Sequence, residues 1–204
     1  MNIPQYTNGN KLFWINKRMF DISLSLLLLP LLFIFVIILP FINYFSNSGR
    51  LFFIQKRMGK DCEVFYAIKF RTMFPVKEIT RKYDDPIETN RITFFGKFLR
   101  KCRIDELPQI LNVLKGDMSL IGPRPDYYIH ALEYLNNVKG YRERHIIRPG
   151  ITGLSQIRLG YAEGLDATAK KVSIDNYYIQ NVNYIIEFKI IVYTLIAIIT
   201  CMGK

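Results

Sequence analysis

The longest apolar stretch, residues 22–42, runs 21 residues without a charge. Only a bilayer or a deep core accepts that, and about 20 residues is the length of a bilayer-spanning helix. Two details argue against simple spanning. Lys11, Lys17 and Arg18 precede the run and Arg50, Lys56, Arg57 and Lys60 follow it, whereas a spanning helix leaves its outer flank poor in basic residues. Pro30 and Pro40 also interrupt it, each removing a backbone hydrogen bond. The pattern predicts a re-entrant membrane helix with both ends on the cytoplasmic side, and a spanning helix is the competing reading.

Beyond it, residues 51–56 and 63–70 are rich in β-branched and aromatic residues and flank Met58-Gly59-Lys60-Asp61, which predicts a hairpin. Residues 74–90 predict a surface loop of no assigned function. Phe94, Phe95, Phe98, Leu99 and Cys102 alternate with Lys97, Arg100, Lys101 and Arg103 at helical spacing, giving a helix with one greasy and one basic face. Such a helix lies well on a membrane. Leu107, Ile110, Leu111 and Leu114 mark the next helix, with Pro108 in its first turn and Lys115-Gly116 at its end. Residues 126–138 and 166–181 predict two more, with His130 on a helix surface. The final apolar run, residues 190–202, has 13 residues and is too short to span. It predicts a helix against the membrane, or one packed only on the domain. The expected fold is α+β and mainly helical: a tail and re-entrant helix over 1–48, then a membrane-associated domain over 49–204 with a small hairpin and amphipathic helices around its site.

The formal net charge of +11 suits nucleic acid, anionic lipid or phosphorylated substrates alike. Cys62, Cys102 and Cys201 are an odd number and far apart, so neither a disulfide framework nor a zinc site is expected. A reducing cytoplasmic face fits. The chemistry concentrates at Asp105-Glu106, read as the start of the helix through Leu114. Backbone N–H groups there, and Arg100 and Arg103 upstream, predict that both acids are ionised. An ionised carboxylate can be a nucleophile or a metal ligand; it can also merely cap the helix. Downstream, Arg124 stands between Pro123 and Pro125 in a stiffened turn, and Arg148-Pro149-Gly150 repeats that logic, presenting a cation beside backbone that can approach a ligand.

Asp105-Glu106-Leu107, the run from Leu111 to Ser119 and Gly122-Pro123-Arg124-Pro125 resemble signatures of the monotopic bacterial phosphoglycosyl transferases, also called bacterial sugar transferases or polyprenyl-phosphate glycosyl-1-phosphate transferases. The resemblance spans nearly the whole chain, from Lys17-Arg18, Asp21 and Ser25 to Asp175-Asn176-Tyr177-Tyr178. It departs in three places: Phe33-Ile34 replaces an expected Ser-Pro, Met58 replaces a common proline, and Leu154 stands where the family commonly has tryptophan. The resemblance implies transfer of a sugar 1-phosphate from a nucleoside diphosphate sugar, a UDP-sugar first, to a polyprenyl phosphate such as undecaprenyl phosphate at the bacterial inner membrane. It implies a ping-pong route with Asp105 as nucleophile, Glu106 assisting, and Mg²⁺ held by Asp105 or Glu106. Arg100, Arg124, Arg148, Lys69, Arg71 and Asp175 are its expected substrate-binding residues, although Lys69 and Arg71 also read as a solvated strand face and Asp175 as a helix-surface charge. Expected partners are the nucleotide sugar, polyprenyl phosphate and membrane lipid but not nucleic acid, with a homodimer left open. The rival reading is a non-catalytic, membrane-tethered module that binds anionic lipid or nucleic acid. A polyanion-binding surface, however, gains nothing from carboxylates at its centre.

Overall fold

A computed structural model describes residues 7–46, 49–76, 85, 88–159 and 164–201. The segment expected as a loop over 74–90 falls largely outside the described residues. Among them the chain is α+β and mainly helical, with seven α-helices, one antiparallel hairpin and one short parallel pair.

Helix α1 (Lys11–Ser46) continues through Pro30 and Pro40, which lie inside it without ending it. Each proline removes one backbone hydrogen bond, and the turns around them are held against the domain. The buried positions Phe13, Lys17, Asp21, Ser25, Leu32, Leu39 and Asn43 follow one another at steps of four or seven and therefore share one stripe. That stripe is anchored at two levels. Leu32 and Leu39 enter a core with Phe70, Leu99 and Ile110, while Phe13 enters another with Ile121, Ile147 and Tyr178. Polar contacts add to this near the start of the helix. Lys17 Nζ donates to Glu187 Oε2 at 2.6 Å, Arg18 donates to the Val113 carbonyl at 2.8 Å, and Asp21 Oδ1 accepts from the Leu120 N–H at 3.0 Å. The opposite face leaves Leu27, Phe33 and Phe41 exposed. At 36 residues α1 is about 54 Å long, well beyond the roughly 30 Å of a hydrocarbon core.

Strands β1 (Phe52–Met58) and β2 (Val64–Phe70) pair antiparallel, with Ile54 opposite Ile68 and Lys56 opposite Tyr66, forming the hairpin that the β-branched and aromatic residues predict. Helix α2 (Phe94–Lys101) starts at Thr93, whose hydroxyl accepts from the Gly96 N–H. A Cβ on Gly96 would sit 2.2 Å from the Thr72 carbonyl, so glycine is what lets α2 close onto the end of the hairpin. A tight 3₁₀ turn (Ile104–Gln109) follows, then α3 (Ile110–Lys115), ended by Gly116. Strands β3 (Ser119–Ile121) and β4 (Gly150–Thr152) pair parallel. Sequence gives no sign of them, because three residues are too few to show alternation. Helices α4 (Tyr128–Asn137), α5 (Leu154–Leu159), α6 (Gly164–Gln180) and α7 (Tyr184–Ile199) complete the domain.

Helix α7 begins six residues earlier than its apolar run suggests, because Asn183 caps it by accepting from the Ile186 N–H. Its buried Glu187 takes Lys17 and the Tyr178 hydroxyl as partners, while Ile185, Phe188 and Ile199 stay exposed. Its far end returns to α2, where Cys201 forms a disulfide with Cys102. The thiols were not expected to pair. Their 99-residue separation hides a Cα–Cα distance of 4.4 Å, created when α7 folds back.

Candidate active site

Arg103, at φ +55°, takes the left-handed conformation at the end of α2 and turns the chain sharply into the 3₁₀ segment that carries Asp105 and Glu106. The acids thus precede α3 by a full 3₁₀ segment instead of opening an α-helix, and they are 8 and 5 % exposed. This changes the expected electrostatics. Burial, reinforced by the neighbouring Glu106 charge, raises Asp105 to about 6 against the pull of Lys69, Arg100 and Arg124. Burial also penalises ionised Glu106, but Arg124 and Lys69 overcome it by charge and hydrogen bond and hold that carboxyl well below its ordinary value.

The two carboxylates differ in their partners. Glu106 Oε1 accepts from Lys69 Nζ at 2.7 Å and from Arg124 Nη2 at 2.6 Å, and Arg103 Nη1 lies 3.5 Å from Oε2. Three cations from three segments therefore converge on one glutamate. Among the described residues no hydrogen bond or ion pair reaches the Asp105 carboxylate, which stays open beside this cluster. Lys69 is itself pushed down to about 8 by burial, against the favourable Glu106 charge.

The placement of Lys69 follows from Asn112 on α3. Its side-chain oxygen accepts from the Ile68 N–H at 3.0 Å and its amide donates to the Tyr66 carbonyl at 2.8 Å, so it pairs with β2 like another strand and brings Lys69 to Glu106. Arg100 donates to Thr72 Oγ1 at 2.9 Å and lies near enough to bias Asp105. Of the residues expected to bind substrate, Lys69, Arg100 and Arg124 thus gather around the carboxylate pair.

Three others lie elsewhere. Arg148 donates to the Gly116 carbonyl at 2.7 Å, at the end of α3 remote from Asp105, where a cation suits the exposed carbonyls. Arg71 donates to the Arg50 carbonyl at 2.8 Å and lies over the Phe53 ring, at the open end of the hairpin. Asp175 is 1 % exposed and pairs with Arg144 Nη2 at 2.8 Å; it is a buried counter-ion rather than a helix-surface charge or a ligand-facing group. Arg144 and Asp126 escape a reading of charge along the chain, which shows basic and acidic residues but not which of them are buried together.

The carboxylates also define what metal the site can accept. The described residues contain no cluster of three or more His, Cys, Asp or Glu side chains able to hold an ion unaided. Glu106, expected as a ligand, has Oε1 taken by two cations. The open Asp105 carboxylate fits Mg²⁺, which typically takes one or two protein carboxylates and completes its shell with water and substrate phosphate.

A match to the family described as bacterial sugar transferase covers residues 12–201. The chain belongs to the bacterial sugar transferase family. It is 38 % identical over 187 residues to the UDP-N-acetylgalactosamine-undecaprenyl-phosphate N-acetylgalactosaminephosphotransferase of Aeromonas hydrophila, covering 92 % of the present chain and 44 % of that protein. It is 35 % identical over 181 residues to the UDP-glucose:undecaprenyl-phosphate glucose-1-phosphate transferase of Klebsiella pneumoniae, covering 88 % and 39 % respectively. It is also 35 % identical over 195 residues to the exopolysaccharide production protein PSS of Rhizobium leguminosarum bv. phaseoli, covering 90 % and 95 %. The chain thus spans less than half the length of the first two relatives and nearly all of the third.

Proposed function

We propose that this chain transfers a sugar 1-phosphate from a UDP-sugar to a polyprenyl phosphate such as undecaprenyl phosphate, through a covalent phosphosugar on Asp105. The observation that carries the reading is the contrast between adjacent acids, one saturated with cations and one open. Family membership and the names of the Aeromonas and Klebsiella relatives support the reaction class.

In the first half, an Asp105 carboxylate oxygen attacks the phosphorus bearing the sugar. The bond to the bridging oxygen breaks, and uridine monophosphate leaves with that oxygen and its electron pair. In the second half, an oxygen of the polyprenyl phosphate attacks the same phosphorus, the acyl phosphate bond breaks, and Asp105 is regenerated as the carboxylate. Mg²⁺ held by Asp105 and the diphosphate would supply charge neutralisation at the phosphoryl oxygens. Glu106 serves as the anchor that holds Lys69 and Arg124 in position, and those two cations, with Arg100, face the diphosphate. The stretch expected to hold the metal through either acid is therefore divided between a ligand and an anchor.

The acceptor is a membrane lipid, and the molecule carries surfaces suited to a bilayer. The exposed apolar face of α1, Phe94 and Phe98 on α2, and the outer side of α7 support insertion into one leaflet, and the basic residues on both flanks of the apolar run favour the cytoplasmic side of the inner membrane. The stripe by which α1 touches the domain as far along as Leu39 and Asn43 favours a helix that stays with the domain over one that leaves it to span.

The test is nucleoside monophosphate release by the full chain in membranes, with Mg²⁺, undecaprenyl phosphate and a panel of UDP-sugars. At least one sugar should give acceptor-dependent, multiple-turnover release of uridine monophosphate together with a lipid-linked sugar diphosphate. No turnover with any sugar, alongside binding of anionic vesicles, would instead favour a non-catalytic module.

A further inference from the structure

Residues 123–126 form an irregular connecting segment in which four consecutive carbonyls are each held by a donor from another segment. Pro123 O accepts from the Gly150 N–H at 2.9 Å and Asp126 O from the Met58 N–H at 3.1 Å. The middle two are held by charged side chains: Arg124 O by Arg144 Nη2 at 2.7 Å and Pro125 O by Arg57 Nη1 at 3.0 Å. With a proline on either side of Arg124 the backbone is fixed on every side, and its side chain is the part left to move.

The donors are themselves fixed. Arg144 is 1 % exposed and also pairs with Asp126 Oδ2 and Asp175 Oδ2. Asp126 in turn accepts from the Tyr141 hydroxyl at 2.8 Å and from Lys171 Nζ. Arg57 donates its other nitrogen to Gln55 Oε1 on the same strand. Burying two carboxylates and two cations together is costly, and such networks bring little net stability over a packed apolar core. What this one supplies is geometry. A planar guanidinium with several donors can hold a carbonyl and two carboxylates at fixed angles, which a lysine cannot.

We infer that Arg144 and Arg57 are positioning residues for Arg124: by gripping the carbonyls of residues 124 and 125 they fix where its guanidinium meets both Glu106 and the substrate diphosphate. Asp126 and Asp175 hold Arg144 in turn, so Asp175 acts on the site at third hand. The inference rests on the reading of Arg124 as a diphosphate-binding residue. Arg144 and Arg57 touch no reacting atom and act only through Arg124.

A double-mutant cycle tests it, using Arg144→Lys and Arg57→Lys, each alone and combined with Arg124→Lys. Asp175→Asn, which keeps the size of the side chain, stands in should Arg144→Lys fail to fold. Three quantities are read on the full chain in detergent with Mg²⁺: kcat/KM for the nucleotide sugar, calorimetric affinity for inorganic diphosphate, and the melting midpoint. In the native background each positioning variant should lower kcat/KM about 10- to 100-fold, the scale of a misplaced contact, and should weaken diphosphate binding. In the Arg124→Lys background the same variants should cost less than about 2-fold, because the group they aim is gone, while the fall in melting midpoint stays equal in both backgrounds. A merely structural role predicts losses of activity that track the melting midpoint and multiply in both backgrounds, and that result overturns the inference, as does native kcat/KM in Arg144→Lys and Arg57→Lys. If the native protein binds diphosphate but turns over no nucleotide sugar, the functional reading fails, and the diphosphate cycle alone decides the positioning role.

Discussion

Arg124 and Glu106 are joined by a 2.6 Å contact, and the value of arginine there lies in its planar fork. Arg124→Lys keeps the charge but loses two-point contact with a phosphate, so kcat/KM should drop by roughly 10- to 100-fold, or about 1–3 kcal/mol, with the melting midpoint nearly unchanged. Steady-state kinetics beside a melt would check this; native kcat/KM would make Arg124 a structural cation. His145 sets a different expectation. Burial and the nearby Arg144 charge press it down to about 3, so it stays neutral, with Nδ1 at 2.9 Å from the Gly59 carbonyl. A depressed folded value means that its contribution is complete above pH 6.5 and is lost as pH falls toward 3. Between pH 6.5 and 5.5 this should remove about 1 kcal/mol, a drop of roughly 2–4 °C in the melting midpoint, and each further unit down toward 3.5 about 1.4 kcal/mol. His145→Gln should flatten that slope; an equal slope in the variant would assign it to other groups. Asp105-Glu106 could be found from sequence because two adjacent acids amid arginines are conspicuous. That one is clamped and the other open could not, since the clamp comes from Lys69 and Arg124, 37 and 18 residues away from Glu106.

Helix α1 shows how far periodicity reaches. Its apolar length is visible at once, yet the docking stripe contains Lys17 and Asp21, polar residues that a hydrophobic pattern excludes and that only their partners Glu187 and the Leu120 N–H explain. The hairpin was legible because β-branched and aromatic residues cluster on both sides of Met58-Gly59-Lys60-Asp61, whereas β3 and β4, at three residues each, are too short to show any such pattern, and the Cys102–Cys201 link depends on the return path of α7. Basic flanks and a domain-bound stripe predict that both ends of α1 lie on the cytoplasmic side. Cys62 is the one free cysteine among the described residues, which makes it a clean reporter. In sealed right-side-out vesicles, an impermeant maleimide should miss Cys62, and an impermeant probe should miss a tag at Met1, until the vesicles are opened. A tag reached from outside while Cys62 is not would mean that α1 spans.

On the proposed reading, the whole molecule has to bring a soluble nucleotide sugar and a membrane lipid to one phosphorus. Phe94 is 93 % exposed on α2, eleven residues before Asp105, and is well placed to hold the site against the bilayer. Phe94→Asp should therefore reduce lipid-linked product several-fold while leaving release of the nucleoside monophosphate in the first half-reaction near native, as quantified separately in membranes. Equal losses in both halves would tie Phe94 to folding or to the nucleotide site instead. That separation presumes two chemical halves, which is the central claim and can be measured directly. Enzyme incubated with its nucleotide sugar and Mg²⁺, but without polyprenyl phosphate, should release up to one equivalent of nucleoside monophosphate and carry a sugar-phosphate mass on the peptide containing Asp105. Asp105→Asn should abolish both signals. Monophosphate that appears only when lipid acceptor is present, or turnover retained by Asp105→Asn, would contradict the account and make the attack on the nucleotide sugar direct.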